Sequence, residues 1–209
     1  PCPWSTMAGV MAEPRAPASP SFDELLAEIR ACRICESHLP LGPRPVLRAA
    51  ASARLMIVGQ APGTKVHESG VPWDDASGER LRDWMAVERH VFYDERRIAI
   101  VPMGFCYPGV EERGGDKPPR PECAEAWHDR LLAHLGKVEL TLLVGAYAQK
   151  RYLGKRRTLT ETVAGWRDHL PEFLPLPHPS WRNTAWIKRN PWFEADVLPE
   201  LRRRVRKLK

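Results

Sequence analysis

Leu55-Met56-Ile57-Val58-Gly59-Gln60-Ala61-Pro62-Gly63 is the stretch of sequence that decides the fold. Its first four residues form an apolar run that is typical of a buried strand, and Gly59 ends the run in a tight glycine–proline loop. Further short apolar runs follow at 98–101, 140–144 and 173–176. Helical patterns separate these runs, and strands that alternate with helices indicate an α/β fold. We therefore predict a three-layer α/β/α sandwich with a short, mostly parallel four-stranded central sheet.

The helices are predicted from their caps and from the spacing of apolar residues. Ser21 and Glu24 form a capping box, and the helix that it opens ends near Cys32. Further helices are predicted at 77–85, 122–135, 146–153, 159–166 and 198–209. In parallel sheets, ligands bind beyond the carboxyl ends of the strands. The loop at 59–63 and the tripeptide His178-Pro179-Ser180 both follow such ends, so we expect them to share one site.

Length and composition indicate one globular domain. The 209 residues suffice for a single buried core, and 43% hydrophobic with 28% charged residues is ordinary for a globular protein. Residues 1–20 are rich in Ala, Pro and Ser, so we interpret them as a disordered leader before a single domain at 21–209. No window approaches the roughly eighteen apolar residues of a membrane span. We expect a cytoplasmic, nucleoid-associated protein of bacterial type.

The positive charge is concentrated at the C-terminal end. The formal net charge is +6, and residues 181–209 contain nine Lys or Arg against three acidic residues, so this segment carries the whole excess. A localised basic region favours a polyanionic partner. The alternative is a solvated helix at 202–209 that is merely basic.

Four cysteines suggest one metal or cluster site. Cys32 and Cys35 form a CxxC pair, whereas sixteen residues separate Cys106 from Cys123. A CxxC supplies two thiolates from one turn, and a second pair from elsewhere completes four ligands. The wide second spacing favours a structural [4Fe–4S] cluster. Zinc is the alternative, and unligated thiols stay open as a third.

Five motifs in a fixed order carry a resemblance to a known family. They are the segment 55–63, Gly70-Val71-Pro72-Trp73, Ser77-Gly78, the turn Leu142-Leu143-Val144-Gly145-Ala146-Tyr147-Ala148, and His178-Pro179-Ser180. From about Cys32 to Val205 the chain resembles the uracil-DNA glycosylase superfamily. The placement of the four cysteines is similar to that in its iron–sulfur-containing members, often called family 4.

The resemblance implies a monofunctional DNA glycosylase that hydrolyses the N-glycosidic bond of deaminated bases in base excision repair, uracil first and hypoxanthine as a further candidate. His178 would donate a hydrogen bond to the oxyanion that develops on the departing base. Trp73 would stack on the base once it is flipped out of the DNA. The base would be held by the loop residues Gly59, Gln60, Ala61, Pro62 and Gly63, with Gln60 also positioning water.

The segment after His178 is expected to contact DNA. Ser180, Trp181, Arg182 and Asn183 occupy the place where the family has a loop that enters the duplex. Trp181 would wedge between bases while Arg182 contacts a phosphate, or Trp181 would pack on the rim of the domain. The expected partner is single- or double-stranded DNA, and we expect a monomer.

The chain departs from the family at positions that carry a carboxylate elsewhere. Gln60 stands where family 4 has Glu, and Ala61 stands where the best-known uracil-DNA glycosylases have a water-activating Asp. A further carboxylate position of some iron–sulfur members falls on Val66. We predict His67 as the replacement, because its side chain titrates near neutrality. The other nearby groups are Glu68, Asp74 and Asp75, and an oriented water without a general base is the alternative.

A further departure concerns the choice of base. The family reads uracil with an asparagine at the end of the second strand, and that position falls on Pro102 or Met103 here. We therefore expect base selection through backbone groups, or acceptance of another deaminated base. Two other functions stay open: a non-catalytic nucleic-acid-binding or damage-sensing protein on the same fold, and an enzyme that forms a covalent sugar adduct through His67.

Overall fold

Four parallel strands form the centre of the protein. In a computed structural model, which describes residues 20–112, 114–154 and 156–208, they are β1 (Leu55–Val58), β2 (Ile98–Ile100), β3 (Leu140–Val144) and β4 (Phe173–Leu176). Their order is β2-β1-β3-β4, and β1 pairs in parallel with both β2 and β3. The predicted α/β fold with a four-stranded sheet is confirmed. The predicted leader lies outside the described residues apart from Pro20.

Helices connect the strands. They are α1 (Phe22–Arg30), α2 (Thr64–Ser69), α3 (Ala76–Met85), α4 (Arg89–Phe92), α5 (Pro121–His134), α6 (Ala146–Leu153), α7 (Leu159–Ala164), α8 (Thr184–Arg189) and α9 (Leu198–Leu208). Short 3-10 turns lie at Glu36–His38, Trp166–His169 and Trp181–Asn183, and a π-helical turn lies at Phe193–Val197. The sequence did not predict α2, α4 and α8, because four to six residues are too few to show an apolar period. Within the described residues, no helix is long and apolar enough to cross a membrane.

Two apolar layers cover the sheet, one on each face. Side chains alternate along β1, so Leu55 and Ile57 belong to one buried cluster while Met56 and Val58 belong to the other. Residues of α3 and α9 complete the first cluster, and residues of α1 and α5 complete the second. The sheet is therefore the middle layer of a three-layer sandwich.

The N-terminal helix is fixed at both ends. The capping box is present, since the Ser21 backbone N–H donates to Glu24 at 2.7 Å and Ser21 Oγ accepts from the Glu24 backbone N–H at 3.3 Å. An ion pair of 2.6 Å between Glu28 and Arg130 joins α1 to α5. Because α5 carries Cys123 in its first turn, this packing brings the CxxC pair that follows α1 close to that cysteine.

Arginines of the C-terminal helix contact other parts of the protein. Arg202 donates to the backbone oxygen of Trp84 at 3.1 Å, at the C-terminal end of α3. Arg203 and Arg204 both form ion pairs with Glu200. These three charges are used within the fold, which weakens the expectation that the basic tail itself serves a polyanionic partner.

Candidate active site and cysteine cluster

A cavity of about 380 Å³ lies beyond the carboxyl ends of β1 and β4. The fold brings together there most of the residues predicted from sequence, which are Gly59, Gln60, Ala61, Pro62, Gly63, Trp73, His178, Ser180, Trp181 and Arg182. Asn183 does not line the cavity, but its Nδ2 donates to the backbone oxygen of His178 at 2.8 Å. Asn183 is therefore placed to orient the segment that carries the histidine.

The loop at 59–63 is held by the segment that follows β2. Met103 donates its backbone N–H to the oxygen of Gly59, and Gly104 donates to the oxygen of Gln60, both at 2.9 Å. Among the described residues, the backbone N–H groups of Gln60, Ala61 and Gly63 make no backbone hydrogen bond. The carbonyl oxygens of Gly59 and Gln60 therefore accept hydrogen bonds from the protein, whereas the three backbone N–H groups are left to donate to a ligand.

Trp73 is held in an unfavourable backbone conformation. Its φ is +58°, a left-handed value that bulky residues rarely adopt. Its backbone oxygen accepts from Arg82 Nη1 and from the Tyr93 hydroxyl, each at 3.2 Å. Strain of this kind persists where the surroundings fix it, and it is concentrated at functional sites.

Two glycines make room for Trp73. A methyl group on Gly59 would lie 2.8 Å from Cζ2 of the Trp73 ring, and a methyl group on Gly78 would clash with the Trp73 backbone oxygen. The ring centroid lies 5.5 Å from that of His178, with the planes inclined by 31°. Trp73 therefore contacts the loop on one side and faces the histidine on the other.

His178 is held in a defined tautomer. The Ser180 backbone N–H donates to its Nδ1 at 3.2 Å. Because Nδ1 accepts that bond, the proton of the neutral ring lies on Nε2. Burial lowers the pKa of His178, and the carboxylate of Asp75 opposes this only in part. The site therefore holds a neutral imidazole with a single N–H donor.

The side chain of Gln60 makes a contact that the sequence did not predict. Its Nε2 donates to the backbone oxygen of Lys117 at 3.1 Å. Lys117 belongs to residues 109–117, called the strap below, of which Arg113 lies outside the described residues. The strap is a small hairpin in which Lys117 donates to Gly109 at 2.9 Å and Glu111 donates to Gly115 at 2.8 Å. Gln60 thus ties the loop to the strap.

His67 is not placed with the other predicted site residues. It does not line the cavity, because α2 turns its side chain into the protein, where the ring centroid lies 6.0 Å from that of Tyr107. Its Nδ1 is buried with no hydrogen-bond partner among the described residues. The position gives no support to His67 as a water-activating residue or as the site of a sugar adduct.

Two carboxylates line the cavity instead. Asp75 was one of the nearby groups considered from sequence, and its Oδ1 accepts from the Gly78 backbone N–H at 2.8 Å as the cap of α3. Asp116 was missed, because it lies in the strap, more than fifty residues after the loop that it faces. A glycine–proline segment without a period offers no sequence signal that would have placed it.

The mouth of the cavity exposes an aromatic ring beside a guanidinium. The side chain of Trp181 is 77% exposed, and Cζ of Arg182 lies 5.7 Å from its ring centroid. The same guanidinium lies against the strap, where a methyl group on Gly115 would clash with it. A large exposed aromatic at the rim of a cavity marks a surface for a partner.

The four predicted cysteines line a second, smaller cavity. Cys123 Sγ accepts from the Phe105 backbone N–H at 3.3 Å. Burial raises the pKa of Cys106 to about 11 and that of Cys123 to about 12, while hydrogen bonds from the backbones of Arg44 and Phe105 act in the opposite direction. Buried thiols with raised pKa values keep their protons at neutral pH. A positively charged metal or cluster would be needed to stabilise them as thiolates.

The four cysteines line this cavity with different exposure, since Cys123 is buried and the other three are half-buried. Among the residues that the structure describes, no group of three or more His, Cys, Asp or Glu side chains is arranged to hold a single metal ion. Zinc would require sulfur atoms about 2.3 Å from one centre. An iron–sulfur cube binds each cysteine at a different corner and suits a wider set of thiols.

The cysteine site and the base site share one segment of chain. Gly104 donates to the loop at Gln60, Phe105 donates to Cys123, and Cys106 follows directly. Anything that fixes the cysteines therefore also fixes one wall of the larger cavity.

Comparison with known families agrees with this geometry. The family model described as "Uracil DNA glycosylase superfamily" matches residues 47–202, most of the chain. The matched range includes Cys106, Cys123 and every cavity-lining residue except Val46, but begins after Cys32 and Cys35.

Proposed function

The chain belongs to the uracil DNA glycosylase superfamily, and from this premise we propose that it hydrolyses the N-glycosidic bond of deaminated bases in DNA, uracil first and hypoxanthine as a second substrate. Membership supports a DNA glycosylase with DNA as its partner. The observation that carries the proposal is the neutral His178, whose Nε2–H is left to donate because Nδ1 accepts from Ser180.

The histidine stabilises the departing base. Cleavage of the bond between base and sugar leaves negative charge on an oxygen of the base. A donor fixed in advance toward that oxygen stabilises the transition state, by about 3 kcal/mol where such donors have been removed. A neutral imidazole provides this bond without first having to lose a proton in the buried site.

The loop and Trp73 hold the base. Deamination replaces an amino group, which donates hydrogen bonds, with a carbonyl oxygen, which accepts them. The N–H groups of Gln60, Ala61 and Gly63 suit such oxygens and suit an amino group poorly. Selection by these donors explains how the protein recognises deaminated bases as a class without the family's asparagine.

The end of β2 offers no substitute for that asparagine. Pro102 lines the cavity, and its backbone oxygen is bonded to Nε2 of the buried His128 at 2.9 Å. Neither the ring nor the carbonyl group of Pro102 can read a base edge. A pocket that lacks this polar contact discriminates less sharply between bases, which supports a range wider than uracil alone.

Trp181 and Arg182 contact the DNA at the mouth of the cavity. A base reaches the cavity only after it leaves the duplex, and an apolar wedge lowers the cost of unstacking. Trp181 is exposed at the mouth for this role, and Arg182 beside it would contact a phosphate. The protein acts on DNA as a monomer.

Cys32, Cys35, Cys106 and Cys123 would hold a [4Fe–4S] cluster. Their common cavity and the N–H bond to Cys123 support a shared four-thiolate site, and the wide spacing of Cys106 and Cys123 favours a cluster over zinc. When bound, the cluster supplies a structural cross-link and no step of hydrolysis. It would fasten the end of α1 to the segment that holds the base loop.

Strand cleavage tests the activity. End-labelled single- and double-stranded oligonucleotides with one uracil, hypoxanthine, xanthine or thymine are incubated with protein and treated with alkali, which breaks abasic sites. We expect cleavage at uracil and a loss of about 100-fold or more in His178→Ala. His90→Ala, at an exposed histidine outside the cavity, is the matched control. Binding of damaged DNA without release of any base would favour the non-catalytic alternative.

Metal analysis tests the cluster. Protein purified without oxygen is assayed for iron, acid-labile sulfide and zinc. We expect about four iron atoms per chain and a broad visible absorption that is lost in Cys123→Ser. One zinc ion per chain and no iron would support the zinc alternative. The absence of both iron and zinc would indicate four unligated thiols.

A further inference from the structure

The reaction needs a group that receives a proton from water, and the sequence motifs do not supply it. His67 points away from the cavity, and Ala61 and Val66 have no titratable side chain. Among the described residues that line the cavity, the carboxylates are those of Asp75 and Asp116.

We propose that Asp116, carried across the cavity by the strap, is the carboxylate that positions and deprotonates the attacking water. This inference rests on the proposed function. It assigns a catalytic residue that lies outside the five motifs quoted from the sequence.

The position of Asp116 relative to the loop is the first argument. A methyl group on Gly63 would lie 3.5 Å from Oδ2 of Asp116, so the carboxylate rests against the last residue of the loop. Trp73 rests against its first residue, Gly59. Trp73 and Asp116 therefore contact opposite ends of the loop, and the proposal places the sugar and the water at the Asp116 end.

The availability of the carboxylate is the second argument. Asp75 Oδ1 is engaged by the Gly78 backbone N–H as a helix cap, whereas Asp116 accepts no side-chain or backbone hydrogen bond from the described residues. Asp116 as a residue is exposed to solvent, so a water molecule can reach its carboxylate from outside. A carboxylate with free lone pairs and access to water fits a general base.

The strap fixes Asp116 from both sides. Asp116 forms a bridge with Val110 in the hairpin, and the next residue, Lys117, accepts the Gln60 side chain at 3.1 Å. Gln60 thus acts as a positioning residue, because it ties the strap to the loop one residue from the carboxylate. The side chain of Gln60 therefore has a structural role that does not depend on contact with the base.

The charges that face Asp116 suit the role. Although the residue is open to solvent on one side, partial desolvation of its carboxyl group by the cavity wall raises the pKa; Arg182 opposes the rise, and Asp75 adds to it. A carboxylate with a raised pKa is a stronger base. His178 and Arg182 are the other titratable and charged side chains on the cavity wall.

The chemistry balances with these groups. The oxygen of water forms a bond to C1′ of the deoxyribose as the bond from C1′ to the base nitrogen breaks. The electron pair of that bond leaves with the base, whose anion accepts a hydrogen bond from His178. The proton of water passes to Asp116 and then to solvent, and the base takes a proton from solvent.

Single-turnover kinetics of three variants test the assignment on oligonucleotides with the base that the wild type releases. Asp116→Asn should slow base release by about 100-fold or more while it binds the DNA as tightly or more tightly, because a negative charge near the phosphates is lost. Asp116→Ala should regain part of its rate when formate is added. Asp75→Ala, which removes the cap of α3, should lower thermal stability more than rate.

The pH dependence gives a readout that a merely structural residue would not move. In the wild type, the rate should fall toward acid as Asp116 becomes protonated, and Asp116→Asn should lack this fall. Wild-type rate in Asp116→Asn, or a loss of rate confined to Asp75→Ala, overturns the assignment and leaves the proposed function intact. Release of no base by the wild type overturns both.

Discussion

The backbone N–H of Ser180 donates to Nδ1 of His178 across 3.2 Å, and this bond decides which nitrogen of the neutral imidazole carries the proton. The two residues stand on either side of Pro179, so the same tripeptide supplies the donor and the ring that it orients. Asn183 completes the arrangement by donating to the backbone oxygen of His178. The motif is therefore a unit whose spacing fixes a tautomer.

Removal of this N–H should lower the rate of base release. The φ of Ser180 is −62°, a value that proline also adopts. Ser180→Pro therefore removes the N–H with little change in backbone conformation. We expect a rate about tenfold lower in single turnover, since one net hydrogen bond is worth about 1.4 kcal/mol. Ser180→Ala keeps the N–H and is the matched control. Equal rates in the two variants would show that the bond does not matter.

Gly78→Ala should destabilise the protein. The added methyl group would clash with the Trp73 backbone oxygen, which Arg82 and Tyr93 hold in place. We expect the free energy of unfolding in urea to fall by about 1–3 kcal/mol. Gly136→Ala is the control, because that methyl group would meet no atom within 4 Å. Unfolding of both variants at the same urea concentration would contradict the clash at Trp73.

Stability should fall as the pH is lowered below about 6.5. Burial lowers the pKa of His178 and of His128 in the folded protein. Between the lowered pKa in the folded protein and the ordinary histidine pKa in the unfolded chain, the unfolded chain binds more protons, so a fall in pH favours unfolding. Above about pH 6.5 the full stability is present. Urea unfolding measures this loss of stability. The pH range is from about 7.5 to about 5, which extends about one unit or more on each side of the ordinary histidine pKa. His178→Ala should lose less than the wild type, and an unchanged dependence would contradict the burial of this ring as its cause.

Arg182→Ala should weaken DNA binding in a salt-dependent way. Loss of one phosphate contact lowers the slope of log K against log salt concentration by about 1. Fluorescence anisotropy with a labelled duplex gives this slope. Arg203→Ala is the control, because Arg203 is paired with Glu200 on α9 away from the cavity. An identical slope in both variants would remove Arg182 from the DNA contact.

Trp181→Ala should affect duplex DNA more than single strands. The ring is exposed, so its loss should change the free energy of unfolding by no more than about 0.5 kcal/mol. A wedge lowers the cost of flipping only where bases are stacked in a duplex. Single-turnover rates on matched single- and double-stranded substrates measure the difference. Equal losses on both substrates would indicate a contact with the base or sugar instead.

Local sequence predicted the sheet and much of the cavity. Each strand is an apolar run that needs burial on both faces, and each run ends at a residue that turns the chain, as Gly59 and Gly145 do. Loops that follow parallel strands converge at one edge of the sheet. For that reason the loop at 59–63 and His178, more than a hundred residues apart, were expected at one site, and both line the same cavity.

Side-chain direction was harder to predict than position. His67 follows the loop by only four residues, yet a single turn of α2 carries its ring to the interior. Gln60 was expected at the base, and its amide instead contacts the strap. The rotation of a short helix and the partner of an amide depend on packing that no local pattern encodes.

The sequence by itself determined the parallel sheet, the loop at 59–63, the histidine motif and the grouping of the cysteines, because apolar runs, glycines and short motifs act within a few residues of one another. Only the tertiary structure decided that Asp116 enters the cavity and that arginines of α9 serve the fold. Those outcomes depend on contacts between distant segments, whose free energy arises only when the chain closes around the sheet.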